Sequence, residues 1–207
     1  MKKLVLCVAI AAFSMSFVNA QEVKFGVKAG VNFASFSGDD VEDLDGLTGF
    51  HVGGVAEIMF SDKFSIQPEI IYSAQGAKSE ESETFEGETF EYKSKAKLDY
   101  INIPVIAKYY VTEGLSLEAG PQVGFLASAK GKDEVTIDGD TESDTEDLKE
   151  YVKGVDFGLG LGLGYKLENG LNFSARYNLG LANISDDEDS DDSLKNNVIQ
   201  LSVGFMF

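Results

Sequence analysis

The chain has 207 residues, enough for one domain or two small ones. It carries 35 acidic against 17 basic residues, a net of −18, and that balance disfavours nucleic-acid binding, which needs basic patches. With a single cysteine, Cys7, no intrachain disulfide can form.

Residues 1–20, "MKKLVLCVAIAAFSMSFVNA", place Lys2 and Lys3 before an apolar stretch and end in Val18-Asn19-Ala20. That layout predicts a secretory signal peptide and a mature chain from Gln21, so the domain is expected over 21–207. Cys7 comes too early in it to be a lipid-attachment site, which leaves the mature chain without a thiol. Removing Lys2 and Lys3 leaves 15 basic against 35 acidic residues, a net of −20. Beyond residue 20 no apolar run is long enough for a spanning helix, but spanning by strands remains open.

Period-2 alternation predicts eight strands: 23–33, 50–60, 64–74, 100–111, 115–127, 155–167, 171–181 and 198–207. Each is long enough to cross a tilted bilayer path, which takes about 9–11 residues. Three connections are tight turns, "SDK" (61–63), "TEG" (112–114) and "ENG" (168–170). The others, 34–49, 75–99, 128–154 and 182–197, read as long polar loops. The pattern predicts an all-β, eight-stranded antiparallel up-and-down transmembrane β-barrel with long extracellular loops, and both chain ends on the periplasmic side.

One phase of every strand is free of charge, for example Phe25, Val27, Val31 and Phe33. The other holds Lys24, Lys28, Glu57, Glu69, Lys108, Glu118, Asp156, Lys166 and Arg176, with most strand glycines. A soluble barrel would turn the apolar phase inward. In "FGLGLGLGY" (157–165) that choice would leave Gly158, Gly160, Gly162 and Gly164 as a bare outer row. Turned inward, they relieve crowding in a narrow lumen. Aromatics near the segment ends (Phe25, Phe33, Phe50, Phe60, Phe64, Tyr72, Tyr109, Tyr165) suit the two interfaces of a bilayer. The expected arrangement is therefore lipid on the apolar phase and charge within. The glycine run is no dinucleotide fingerprint, since Leu163 stands where the third glycine is needed.

Lys28, Glu57, Glu69, Lys108, Glu118, Asp156 and Arg176 are the candidate lumen network, with Arg176 expected to fork onto Glu118 or Glu57. They either fill and stiffen the barrel or line a path for small ions, and an eight-strand interior is usually filled by side chains. Pro68, Pro104 and Pro121 lie inside strands, where bulges or a shared irregular patch are expected. His51, the sole histidine, lies near Ser35 and Ser73 at the predicted outer rim. A lipid-modifying Ser–His pair and a lumen-mouth histidine are the two readings. The acidic stretches 37–46, 79–91, 132–150 and 185–192 read as solvated charge runs or as weak Ca²⁺ or Mg²⁺ contacts. Asp138, Asp140, Glu142 and Asp144 are the metal candidates, although the stretch lacks the central glycine and closing glutamate of an EF-hand. No resident cofactor is expected.

"FSIQPEIIYSAQGAK" (64–78), "LDYINIPVIAKYY" (98–110) and "LEAGPQVGFLASAK" (117–130) resemble the PorT-like outer-membrane β-barrel family, abundant in Bacteroidetes. The resemblance covers nearly all of the mature chain. It implies an OmpX/OmpA-like barrel in the outer membrane, and one branch of the family is tied to protein secretion. The ending Leu201, Val203, Phe205, Phe207 is similar to the signal read by the barrel-assembly machinery. Expected partners are outer-membrane lipid, lipopolysaccharide and that machinery, with the chain a monomer. The expected role is structural, adhesive or surface-interacting and non-catalytic. A secretion accessory, a small pore and a lipid-modifying enzyme stay as alternatives.

Overall fold

The computed structural model describes residues 22–39, 41, 44–85, 88–137, 140–186 and 193–207. The expected signal peptide and Asp138 lie outside these residues. Nine strands follow in chain order: β1 (Val23–Gly38), β2 (Asp45–Ser61), β3 (Phe64–Phe85), β4 (Glu88–Tyr110), β5 (Leu115–Ile137), β6 (Asp140–Asp147), β7 (Val155–Lys166), β8 (Leu171–Gly180) and β9 (Leu194–Met206). Eight of them pair antiparallel in a closed ring, β1-β2-β3-β4-β5-β7-β8-β9, and β9 returns to β1. Closure removes the free edges that a flat sheet would expose. β6 stands outside the ring, paired to the far part of β5 from Lys130 to Ile137.

The interior is polar. Among the described residues, 20 buried side chains are polar or charged and 13, Pro104 included, are apolar. The outer wall is the reverse, with Phe25 and Ile70 each 63% exposed and Phe50, Leu161, Leu163 and Val203 also exposed. A water-soluble barrel would bury those side chains, so this wall is built for hydrocarbon. Aromatic pairs mark both rims of the wall: Phe60 on Phe64 (6.0 Å) and Phe205 on Phe207 (5.6 Å) at the short-turn end, Phe50 on Tyr72 (5.6 Å) at the other.

The three tight turns fall where expected, and Gly170 supplies the left-handed residue (φ 90°) that closes the last of them. The long loops do not. Residues 75–85 and 88–99 continue β3 and β4, and 128–137 continues β5. Stretches such as Lys93-Ser94-Lys95-Ala96-Lys97 still alternate, but with lysine in place of the apolar residue, so an apolar criterion passes over them. The result is a four-stranded sheet, β3-β4-β5-β6, standing beyond the barrel.

The prolines sit at no bulge. Register is unshifted through Pro68, Pro104 and Pro121, and the register shifts fall at Gly46/His51, Met59/Ser61 and Asp99/Tyr100. The other expectation, a shared irregular patch, is what the ladders show: no pairing joins β2 and β3 between Ile58↔Ile66 and Val55↔Glu69, nor β3 and β4 between Pro68↔Val105 and Ile71↔Asn102, nor β4 and β5 between Pro104↔Gln122 and Ala107↔Ala119. A missing N–H weakens the local ladder without adding a residue to it.

Candidate functional site

The lumen holds one chain of alternating charge. Lys28 reaches Glu69 (3.5 Å), and Arg176 forks onto Glu69 through Nη1 (3.1 Å) and Nη2 (2.8 Å). Nη2 also donates to Glu118 (2.9 Å). Lys108 lies 3.4 Å from Glu118 and 3.8 Å from Glu57, and Lys166 donates to Glu57 (3.1 Å). These seven residues come from seven different barrel strands; only β9 contributes none. Neutral donors complete the carboxylates: Gln67 on Glu69 (2.8 Å), and Ser65 (2.8 Å) and the Tyr110 hydroxyl on Glu57. Buried charges are tolerated when paired and hydrogen-bonded in this way.

Two expectations change here. The fork of Arg176 falls on Glu69, with Glu118 second and Glu57 out of reach of its guanidinium. Asp156 makes no ion pair among the described residues. It faces Gly124 near Tyr100 and Asn102, in the far part of the lumen. Lys166 and Tyr110 complete the near end.

The glycine run makes room for this chain. A methyl group at Gly164 would sit 2.5 Å from a Glu118 carboxylate oxygen. One at Gly160 would lie 3.1 Å from the Arg176 side chain, and one at Gly162 would meet the Ala175 carbonyl at 2.5 Å. The outward leucines of the same strand meet hydrocarbon, so one stretch serves both solvents.

His51, next to Phe50 at the rim of the wall, is turned inward and fully buried. Its Nε2 lies 2.8 Å from the Ser202 hydroxyl and its Nδ1 2.8 Å from Asn32 Oδ1. The Asn32 amide donates to Ser73, Phe50 and Ala74, so its carbonyl is the acceptor for His51 Nδ1–H, and Nε2 accepts from Ser202. Gly30 clears space for the ring, where a Cβ would lie 2.7 Å from it. Of the serines expected near His51, Ser73 bonds Asn32 instead, and Ser35 is exposed on the outer wall. A Ser–His–Asn sequence can activate a nucleophile. Here His51 and Asn32 line neither the vestibule nor the lumen void, and Ser202 borders an open hollow on the outer wall with Leu163, Phe173 and Leu201.

The two mouths differ. At the long-hairpin end, Leu98, Tyr100, Ala129 and Ile184 form a buried cluster, flanked by Phe36, Leu126, Leu148, Val152 and Leu194. The connections after β6 and β8 interlock above it, with Lys153 N–H donating to Ile184 (2.8 Å), Asp186 N–H to Tyr151 (3.0 Å), and a Val152↔Ser185 bridge. This is an apolar lid. At the short-turn end a vestibule of about 830 Å³ opens between Lys24, Asp62, Tyr110, Glu113 and Lys166. Between them the void beside Lys28, Lys108 and Glu118 is about 10 Å³, no more than one water position.

The outer sheet sorts its charges by face. Glu81, Asp133, Glu142, Asp144 and Glu146 share the face that continues the lumen side, and no lysine lies on it. Lys78, Lys93, Lys95, Lys97, Lys130 and Lys132 share the other, mixed with Glu80, Glu91, Asp99, Glu134 and Asp147. Hydrogen bonds from Lys78 and Lys132 hold the Glu80 and Glu134 carboxyls below the usual carboxylate range, and Glu91 raises Lys93. Asp140, Glu142 and Asp144, expected in a loop, lie on strand β6 with every residue exposed. Alternate carboxylates on a strand are about 7 Å apart and cannot wrap one ion. Among the described residues no three acidic or histidine side chains converge on a metal position.

A family model described as "Outer membrane protein beta-barrel domain" matches residues 19–186. The chain belongs to this outer-membrane β-barrel family. Among curated proteins no sequence matches it. Similar solved structures include Ail, the attachment invasion locus protein of Yersinia pestis (17% identity, TM-score 0.47, covering 90% of this chain and 99% of that one). They also include Neisserial surface protein A (13%, 0.44, 90% and 99%) and OprG from Pseudomonas aeruginosa (13%, 0.43, 90% and 97%). As an outer-membrane barrel the protein crosses the bilayer with strands, its apolar wall against lipid and its charge chain within.

Sequence reasoning missed Asn32, Ser202 and Gln67, which are polar residues of the inward phase, and Ile184, the centre of the lid. The inward phase was the available signal for the first three. Ile184 is an isolated apolar residue beside an acidic run and carried none.

Proposed function

We propose that this outer-membrane barrel is non-conducting and non-catalytic, and that its work is done by the sheet it holds above the membrane, as an interaction surface for a cationic partner. The observation that carries this reading is the charge sorting of that sheet, with Glu81, Asp133, Glu142, Asp144 and Glu146 on one face and no lysine among them. The filled lumen and apolar lid support the absence of conduction, and the full burial of His51 and Asn32 supports the absence of catalysis. Short turns of such barrels face the periplasm, which puts the sheet outside the cell and both chain ends inside the envelope, in keeping with export on residues 1–20. The resemblance to PorT-like barrels adds an accessory role in secretion as one setting for such a surface.

The test uses the full chain in neutral phosphatidylcholine vesicles and a fluorescent oligolysine peptide. Binding is expected to fall with salt and to drop roughly fivefold or more in a Glu81→Gln, Glu142→Gln, Asp144→Asn, Glu146→Gln variant. Equal binding by that variant would contradict the reading.

A further inference from the structure

The lysine face of the outer sheet is continuous with the lipid-facing wall. On β4 the outward row runs Val105, Ile103, Ile101, Asp99, Lys97, Lys95, Lys93, with no register shift against β3 along that length. Ile101 and Ile103 are exposed wall residues. Lys97 stands four residues above Ile101, roughly 10 Å higher along the bilayer normal for a tilted strand. A lysine stem spans about 6 Å and can reach down toward an interface.

Like charges face each other across these strands. Lys78 is opposite Lys95, which is opposite Lys132, and Lys97 is opposite Lys130. Directly opposed like charges destabilise a sheet. The carboxylates that pair with this group lie on its far side from the wall: Glu80 on Lys78 (2.9 Å) and Glu134 on Lys132 (2.6 Å) and Lys95 (3.6 Å). Lys97 and Lys130, the two nearest the wall, make no ion pair among the described residues and are exposed. In a chain of net −18, five lysines are gathered on this face; at its membrane edge Asp99 is bonded to Tyr72, and Asp147, opposite Lys130, makes no ion pair with it among the described residues.

We propose that Lys78, Lys95, Lys97, Lys130 and Lys132 form a docking surface for the phosphate groups of outer-leaflet lipopolysaccharide. The occupant is fixed by charge complementarity and by place. The patch rises directly from the hydrocarbon-facing wall, at the level where headgroups stand, and each ammonium offers three donors to phosphate oxygens. The proposal rests on the outward orientation of the sheet given above.

The test uses the full chain in dodecyl maltoside micelles, with diphosphoryl lipid A as the probe. The controls are the same lipid stripped of phosphate, and inorganic phosphate. Lipid A is expected to bind and to weaken as salt rises. A Lys95→Gln, Lys97→Gln, Lys130→Gln, Lys132→Gln variant is expected to bind roughly 10- to 100-fold more weakly. That variant removes repulsion, so its melting temperature should hold, which circular dichroism reads. A Glu142→Gln, Asp144→Asn variant on the opposite face should bind lipid A as the parent does. Equal binding by the lysine variant, equal binding of phosphate-free lipid, or no binding by the parent would each overturn the proposal. So would protection of these lysines from acetylation in lipid-free protein, which would mean that the chain's own acidic segments cover them. Orientation is read separately, by protease cleavage of the sheet on intact cells. Failure there, with lipid A binding intact, would overturn the outer-leaflet docking together with the orientation and leave only a phosphate-binding patch.

Discussion

The lumen and the outer sheet are both rich in charge, but they pair it differently. In the lumen the partners are far apart in sequence, with Lys28 and Glu69 separated by 41 residues, Arg176 and Glu69 by 107, and Lys166 and Glu57 by 109. In the sheet Lys78–Glu80, Lys93–Glu91 and Lys132–Glu134 are each two residues apart on a single strand, and the longer Lys95–Glu134 contact (3.6 Å) is the one that crosses between strands among the described residues. Long-range pairs tie strand to strand in a low dielectric, whereas exposed local pairs tie a strand only to itself and contribute little. The first region holds the barrel together, and the second leaves its net charge available to others.

Breaking the lumen chain should therefore cost most. Arg176→Leu strands Glu69 and Glu118 without their shared partner and is expected to destabilise the folded barrel by about 3–5 kcal/mol. Urea titration of the protein in vesicles reads that loss, and a change under about 1 kcal/mol would contradict the role given to Arg176. Next comes the lid. Ile184→Ala removes a fully buried side chain and is expected to cost about 2–3 kcal/mol. Its measurable mark is faster amide exchange at Leu98 and Ala129, with the lumen strands unchanged. A smaller effect is expected from Gly164→Ala, whose new methyl group presses on Glu118, at about 1–2 kcal/mol. Glu118→Gln in the same chain should not rescue it if the clash is steric, which a double-mutant cycle decides. Least of all is expected from the sheet: Lys95→Gln should shift stability by no more than about 0.5 kcal/mol, toward greater stability, because it relieves Lys78 and Lys132. Thermal melting checks the sign.

The same contrast explains what could be read without a structure. Apolar alternation such as Phe25-Val27 and Leu159-Leu161-Leu163 marks a strand wherever one face meets hydrocarbon, so the ring of eight and its polar interior were legible. The upper parts of β3, β4 and β5 have no such face. Lys93-Ser94-Lys95-Ala96-Lys97 keeps the period with charge instead, and β6 (Asp140–Asp147) alternates carboxylates with small polar residues. The inward phase held all seven residues of the lumen chain, of which Lys166 alone was not named for the network, but their partners were not legible. Which inward groups meet across a lumen depends on the stagger of each strand, and that stagger set Arg176 against Glu69 rather than Glu57 and left Asp156 at the height of the lid. For His51 the phase was readable, whereas the Ser202 that meets its ring lies 151 residues away and could be found only through the β1–β9 closure.

The central claim is that charge fills the lumen and an apolar lid seals it, so that the barrel serves as a mount for its outer sheet. Single-channel recording of the full chain in a planar bilayer tests this most directly. The account predicts a flat current after insertion, in low and high salt alike; stable conductance steps of reproducible size would contradict it.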